Sequence, residues 1–142
     1  MTTDCIRYKG GYKYQLVEQY KVYTPIYPTT LIALPLVQLN LAGLLTIQSG
    51  YAWDGPSGPT VDTVTFMRGS LIHDALYQLM RHNLLDHTLY REPADRFLQE
   101  CCRADGMSQL RSWWVYWGAR LGGTASTRAK NQKPIQIAPE TF

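Results

Sequence analysis

The sequence is poor in the features that would place it quickly. It has three cysteines, Cys5, Cys101 and Cys102, in 142 residues. Adjacent cysteines rarely bond each other, and an odd count without regular spacing is not a disulfide framework; buried free thiols in a reducing compartment are the expectation. Only three histidines occur, His73, His82 and His87, and none precedes His73. That excludes the His-Asp phosphohydrolase pattern, which needs an upstream histidine on its metal. His82, His87 and the cysteines also show no zinc-ligand spacing. The longest apolar run, Leu31 to Leu45, is interrupted by Pro35, Gln38 and Asn40 and is too short to span a bilayer. Met1-Thr2-Thr3-Asp4-Cys5 lacks the charged-then-apolar order of a signal peptide. A net charge of +3 with scattered arginines gives no basic stripe for nucleic acid. Internal repeats and low-complexity segments are absent.

What is present fits one globular domain: 45% hydrophobic residues, 18% charged, ten tyrosines and four tryptophans. Residues 12–24 alternate loosely and are rich in aromatic and branched side chains, which predicts a strand after Gly10-Gly11. Shorter strands are expected near 30–34, 36–40 and 44–48, making residues 12–50 a small antiparallel sheet. A glycine-rich turn follows, Trp53-Asp54-Gly55-Pro56-Ser57-Gly58-Pro59. Beyond it the apolar period becomes helical, from Phe66 to Arg81. The polar stretch 83–92 reads as a loop. Pro93 suits the first turn of a second helix ending near Arg103 and Asp105-Gly106. Ser108 can cap a third, Gln109 to Leu121, stopped at Gly122-Gly123. The expected fold is therefore α+β, an antiparallel N-terminal sheet followed by three helices, in one domain over 1–123 (51–123 holding the site). The polar stretch 124–142 reads as an extended C-terminal arm.

The chemistry concentrates at residues 71–98. His73 and Tyr77, four apart, share a helix face, while Asp74 lies about 100° away, toward the entry of the glycine turn. If the second helix packs antiparallel across the first, Asp95 reaches the His73 ring and Tyr77 can bond Asp95. A carboxylate so placed fixes the imidazole tautomer and stabilises the imidazolium, making His73 a general base with an orienter. Asp74, with carbonyl oxygens from Asp54 to Gly58, is an all-oxygen set suited to Ca²⁺, and Gly55 and Gly58 let that backbone bend. The bland alternative stands beside this reading. A His-Asp pair on a helix is often a satisfied structural bond, Asp95 near a helix start is an ordinary dipole-stabilising carboxylate, and Asp54 and Asp62 are ordinary turn residues.

A glycine turn, then His-Asp-x-x-Tyr, then a helix with Ala-Asp-x-x-Phe resembles the phospholipase A2 fold, especially the disulfide-free domain of parvovirus minor capsid proteins, over residues 51–105. The resemblance implies His73 as the base that activates water, Asp95 as its orienter, Tyr77 as support for Asp95, and Asp74 as a Ca²⁺ ligand with Asp54. The turn, with Trp53, Gly55, Ser57 and Gly58, would bind substrate and supply an oxyanion N–H. Prolines 56 and 59 remove two such N–H groups, and the turn departs from the family's Tyr-Gly-x-Gly pattern. Over residues 12–123 the chain is also similar to an uncharacterised family of small phage-encoded proteins, with an Asp-Gly-x-Ser turn, His-Asp-x-Leu-Tyr and an Ala-Asp helix. That resemblance implies a phage origin, synthesis in the host bacterial cytoplasm, and the virion as one destination.

Two functions follow as expectations. One is a Ca²⁺-dependent lipid ester hydrolase acting at a phospholipid membrane surface. The other is a non-enzymatic virion, tail or assembly protein, meeting other virion proteins, in which His73, Asp74, Tyr77 and Asp95 form a structural network. The third helix adds Trp113, Trp114 and Trp117, which cannot all be buried on one stripe. They read either as core with one partly exposed ring, or as an amphipathic surface with Arg111 and Arg120 meeting anionic headgroups.

Overall fold

The computed structural model describes residues 5–9, 14–53 and 63–126. They divide into two compact units, one built from strands up to residue 54 and one from helices from residue 55 onward. The architecture is α+β, with antiparallel sheet followed by three helices.

The strand unit holds two antiparallel sheets. β1 (Tyr8–Lys9), β2 (Tyr14–Leu16) and β7 (Ala52–Trp53) form the first, with β2 in the middle. β3 (Tyr20–Tyr23), β4 (Ile32–Ala33), β5 (Val37–Leu39) and β6 (Leu44–Ile47) form the second, in the order β3-β6-β5-β4. Register aligns the apolar side chains: Val22 opposes Leu45, Leu45 opposes Leu39, and Leu39 opposes Ile32. Opposed residues share a sheet face, so these four make one buried row across the sheet. Lys21 and Tyr23 alternate onto the exposed side.

The single strand expected over 12–24 is two strands in two sheets. Val17, Glu18 and Gln19 separate them and are all exposed. The break is fixed by backbone bonding, since the Leu16 N–H donates to Tyr51 and Val17 to Arg7, at 2.8 and 2.7 Å. The connection between β5 and β6 is set by Asn40, whose Oδ1 accepts from the N–H groups of Ala42 and Leu44, both at 2.9 Å. Gly43 stands there at φ +85°, and a Cβ on it would lie 2.5 Å from the Thr24 carbonyl oxygen. Only glycine fits both demands.

The helical unit comprises α1 (Thr63–Arg81), α2 (His87–Ala104) and α3 (Gln109–Ser126), with α2 packed on both others. α1 buries Leu71, Ile72, Ala75, Leu76, Leu79 and Met80. Where α1 meets α2, a Cβ on Gly69 would lie 3.0 Å from Leu98 Cδ1 and 3.2 Å from Cys102 Sγ, so the missing side chain lets the helices close together. Phe66, Leu98, Cys102, Met107 and Val115 join all three helices in one cluster.

Two helix boundaries differ from expectation. α2 begins at His87, not at Pro93, because Asp86 caps it: its Oδ1 accepts from the Thr88 N–H at 2.9 Å and the Thr88 hydroxyl at 2.6 Å. Pro93 therefore sits inside the helix, where it removes one backbone bond without ending it. α3 continues through Gly122-Gly123 to Ser126, and residues 127–142 of the expected arm lie outside the described residues. Among the described residues no helix is long and apolar enough to cross a membrane.

Candidate functional site

α1 and α2 run antiparallel. Moving back along α1 from Tyr77 through His73 and Gly69 to Arg68, the partners on α2 and its C-terminal cap advance from Asp95 through Leu98 and Cys102 to Asp105. That arrangement puts a carboxylate under the His73 ring. His73 Nε2 lies 2.6 Å from Asp95 Oδ1, and the Tyr77 hydroxyl donates to the same oxygen at 2.5 Å. The His73 and Tyr77 rings are in contact, with centroids 4.0 Å apart.

Asp95 is fully buried, and four side chains from three helices surround its carboxylate. Arg120 of α3 donates from Nη1 to Oδ2 at 3.0 Å, and Arg91, one turn earlier on α2, places Nη1 3.8 Å from the same oxygen. Burying a charge without such partners is costly, so this encirclement is what permits a carboxylate at zero exposure. Burial is also the largest influence on Tyr77. Together with the hydrogen bond and the charge of Asp95, it pushes the phenol pKa well above its ordinary 10.0, and the hydroxyl stays a donor.

As a carboxylate, Asp95 offers only acceptors, so the hydrogen-bond partners assign the ring proton to Nε2 of His73. Nδ1 then carries the lone pair, and among the described residues it has no hydrogen-bond partner. The side chain is 12% exposed. An imidazole oriented in this way, with Nδ1 unpartnered among the described residues, can accept a proton from water that reaches it.

Asp74 follows His73 on α1 and is partly exposed. Trp53 lies in β7 of the strand unit, its ring buried beside Tyr14 and Tyr51, with centroids 5.8 and 6.5 Å away. Asp54, Gly55, Ser57 and Gly58, as well as Asp62, lie outside the described residues. The structure thus brings together His73, Tyr77 and Asp95. To these it adds Arg91 and Arg120, which were not assigned to the site from the sequence. Arg91 had a usable signal, standing four residues before Asp95 on what proves to be the same helix. Arg120, 25 residues further on, had none.

Among the described residues no three histidine, cysteine, aspartate or glutamate side chains are grouped to hold a metal ion. The chain matches no protein-family model, no curated protein and no solved structure with which it was compared.

Proposed function

We propose that the chain is a hydrolase of lipid esters, phage-encoded as its resemblance implies, in which His73 acts as general base and Asp95 as its orienter. The observation that supports this is the 2.6 Å contact between His73 Nε2 and a fully buried Asp95, with Nδ1 left unpartnered among the described residues. Nδ1 takes a proton from water, and the resulting hydroxide adds to the ester carbonyl carbon. The C–O bond to the alcohol then breaks, and the leaving alkoxide takes the proton back from the imidazolium. Asp95 stabilises the imidazolium in between, and Tyr77 and Arg120 keep Asp95 in place.

Asp74 is the proposed Ca²⁺ ligand. A Ca²⁺ ion takes six to eight oxygens, of which the described residues supply the Asp74 carboxylate, so the proton transfers above are assigned to the chain's own side chains. When bound, the ion would supply charge stabilisation to the phosphate and the oxyanion. Gly55, Ser57 and Gly58 are proposed to contact substrate; Trp53, with its ring buried beside Tyr14 and Tyr51 in the strand unit, is not.

The test is fatty-acid release from mixed phospholipid vesicles, with Ca²⁺ and with chelator, for the native chain and His73→Gln. Release abolished in the variant supports the reading, and release unchanged in it removes His73 from the chemistry. A second reading is favoured by one observation, the bond from Arg120 to Asp95 Oδ2, which ties the third helix to the other two. On that reading the cluster is architecture in a virion or assembly protein. It predicts no release above background and a marked loss of melting temperature when the cluster is broken.

A further inference from the structure

The face of α3 opposite its packed side is apolar and, among the described residues, uncovered. At about 100° per residue, Leu110, Trp113, Trp114, Trp117 and Leu121 fall within an arc of roughly 100°. All five are exposed, Leu121 at 83%, Leu110 at 67% and Trp114 at 60%. The buried residues of the helix, Ser112 and Val115, with the partly buried Ala119, point the other way and meet α2 and the core cluster. The indoles brace one another: Trp113 makes edge contacts with Trp114 and Trp117, at centroid separations of 5.4 and 6.3 Å. This is a preformed aromatic ridge, too contiguous to be ordinary scattered surface hydrophobics.

Charge identifies the occupant. Between Asp105 and Glu140 the sequence has no acidic residue and five basic ones. Arg120 is taken up by Asp95, which leaves Arg111 on the helix and, in the sequence just beyond the described residues, Arg128, Lys130 and Lys133. A second copy seated on this face would bring two such acid-free, basic stretches together, and like-charge juxtaposition opposes that pairing. An anionic surface is complementary to it. Tryptophan and leucine on one helix face, in a stretch of sequence whose charges are all basic, is the composition of a helix lying in a bilayer interface, where indoles place a ring in the acyl boundary and an N–H toward headgroups. The helix is not apolar enough to go further and span.

We propose that the Leu110–Leu121 face of α3 docks on the interface of an anionic phospholipid bilayer. The surface lies on α3 and does not depend on what His73 does.

The experiment uses the full chain and vesicles of ether-linked phosphatidylglycerol mixed with phosphatidylcholine, which have no acyl ester to cleave, against vesicles of phosphatidylcholine alone. Co-sedimentation with the anionic vesicles, a blue shift of tryptophan emission, and weakening of binding by salt are expected. Trp114→Ser/Leu121→Ser alters only exposed positions, so its melting temperature should match the native chain while affinity falls on the order of tenfold or more. Equal binding to both vesicle types, or undiminished binding by the folded variant, overturns the proposal. So does a dimer in sedimentation equilibrium that the same substitutions dissociate, with no vesicle binding. Fatty-acid release, measured separately on ester lipids, separates the two readings. Binding without release retains the surface and removes the hydrolase. Release from a soluble short-chain ester without vesicle binding does the reverse.

Discussion

Arg120 and His73 hold opposite oxygens of one carboxylate: Arg120 Nη1 donates to Asp95 Oδ2 at 3.0 Å, while His73 Nε2 meets Oδ1 at 2.6 Å. The residue that orients the histidine is therefore itself held from another helix, and stability and chemistry are coupled at Asp95.

Asp95→Ala removes the common partner of His73, Tyr77, Arg91 and Arg120, leaving buried donors and a cation without compensation. A loss of about 3–5 kcal/mol in unfolding free energy is expected, read from the midpoint of urea denaturation. His73→Gln, by contrast, changes a side chain at the edge of the cluster and should lose no more than about 1–2 kcal/mol. A His73→Gln variant as unstable as Asp95→Ala would count against the distinction between orienter and base.

Tyr77 gives the cluster a pH signature. Its phenol pKa is raised in the folded chain by burial and by Asp95, while in the unfolded chain it returns to its ordinary 10.0. Above pH 10 the unfolded state loses that proton and the folded state keeps it, so the unfolded state binds fewer protons and stability falls as pH rises. The contribution is fully present below pH 10. Melting temperatures from pH 8 to pH 11 should fall more steeply for the native chain than for Tyr77→Phe, which has no proton to lose. Parallel curves would show that Tyr77 ionises equally in both states.

Gly43 tests the strand unit by itself. Gly43→Ala forces a Cβ toward the Thr24 carbonyl at φ +85°, and a loss of about 1–3 kcal/mol is expected. Chemical denaturation monitored at the strand unit's own Trp53 would report it.

Arg68 and Asp105 form a second ion pair in the helical unit, with Nε 3.0 Å from Oδ2 and the arginine side chain 3% exposed. Arg68→Ala strands the carboxylate at the end of α2 and should cost about 3–5 kcal/mol. Arg68→Met in an Asp105→Asn background should recover part of that loss, because the uncompensated charge is gone. Thermal melts of the two variants decide the matter.

Much of the scaffold was legible because period and spacing are local properties. The switch from alternation to helical period after residue 63, and the shared face of His73 and Tyr77, depend on neighbours within a turn. The start of α2 was misplaced because Pro93 is the stronger textual signal, whereas Asp86 and Thr88 cap through a side-chain geometry that composition does not display. The division of residues 12–24 into two strands was hidden for a related reason. Its alternation barely falters, and the break comes from which distant backbone each half meets, Tyr51 and Arg7 for the first and β6 for the second. Arg120 shows the limit most plainly. On the sequence it flanks three tryptophans and reads as a surface charge, yet the crossing of α3 over α2 carries it inward to Asp95.

The cluster around Asp95 also has an order in time. A chain made from its N-terminus presents His73 and Tyr77 first, then Arg91 and Asp95, and Arg120 only after some 25 further residues. Until α3 arrives, Asp95 lacks the donor on its second oxygen. Full burial of that carboxylate therefore waits on the packing of α3 against α2.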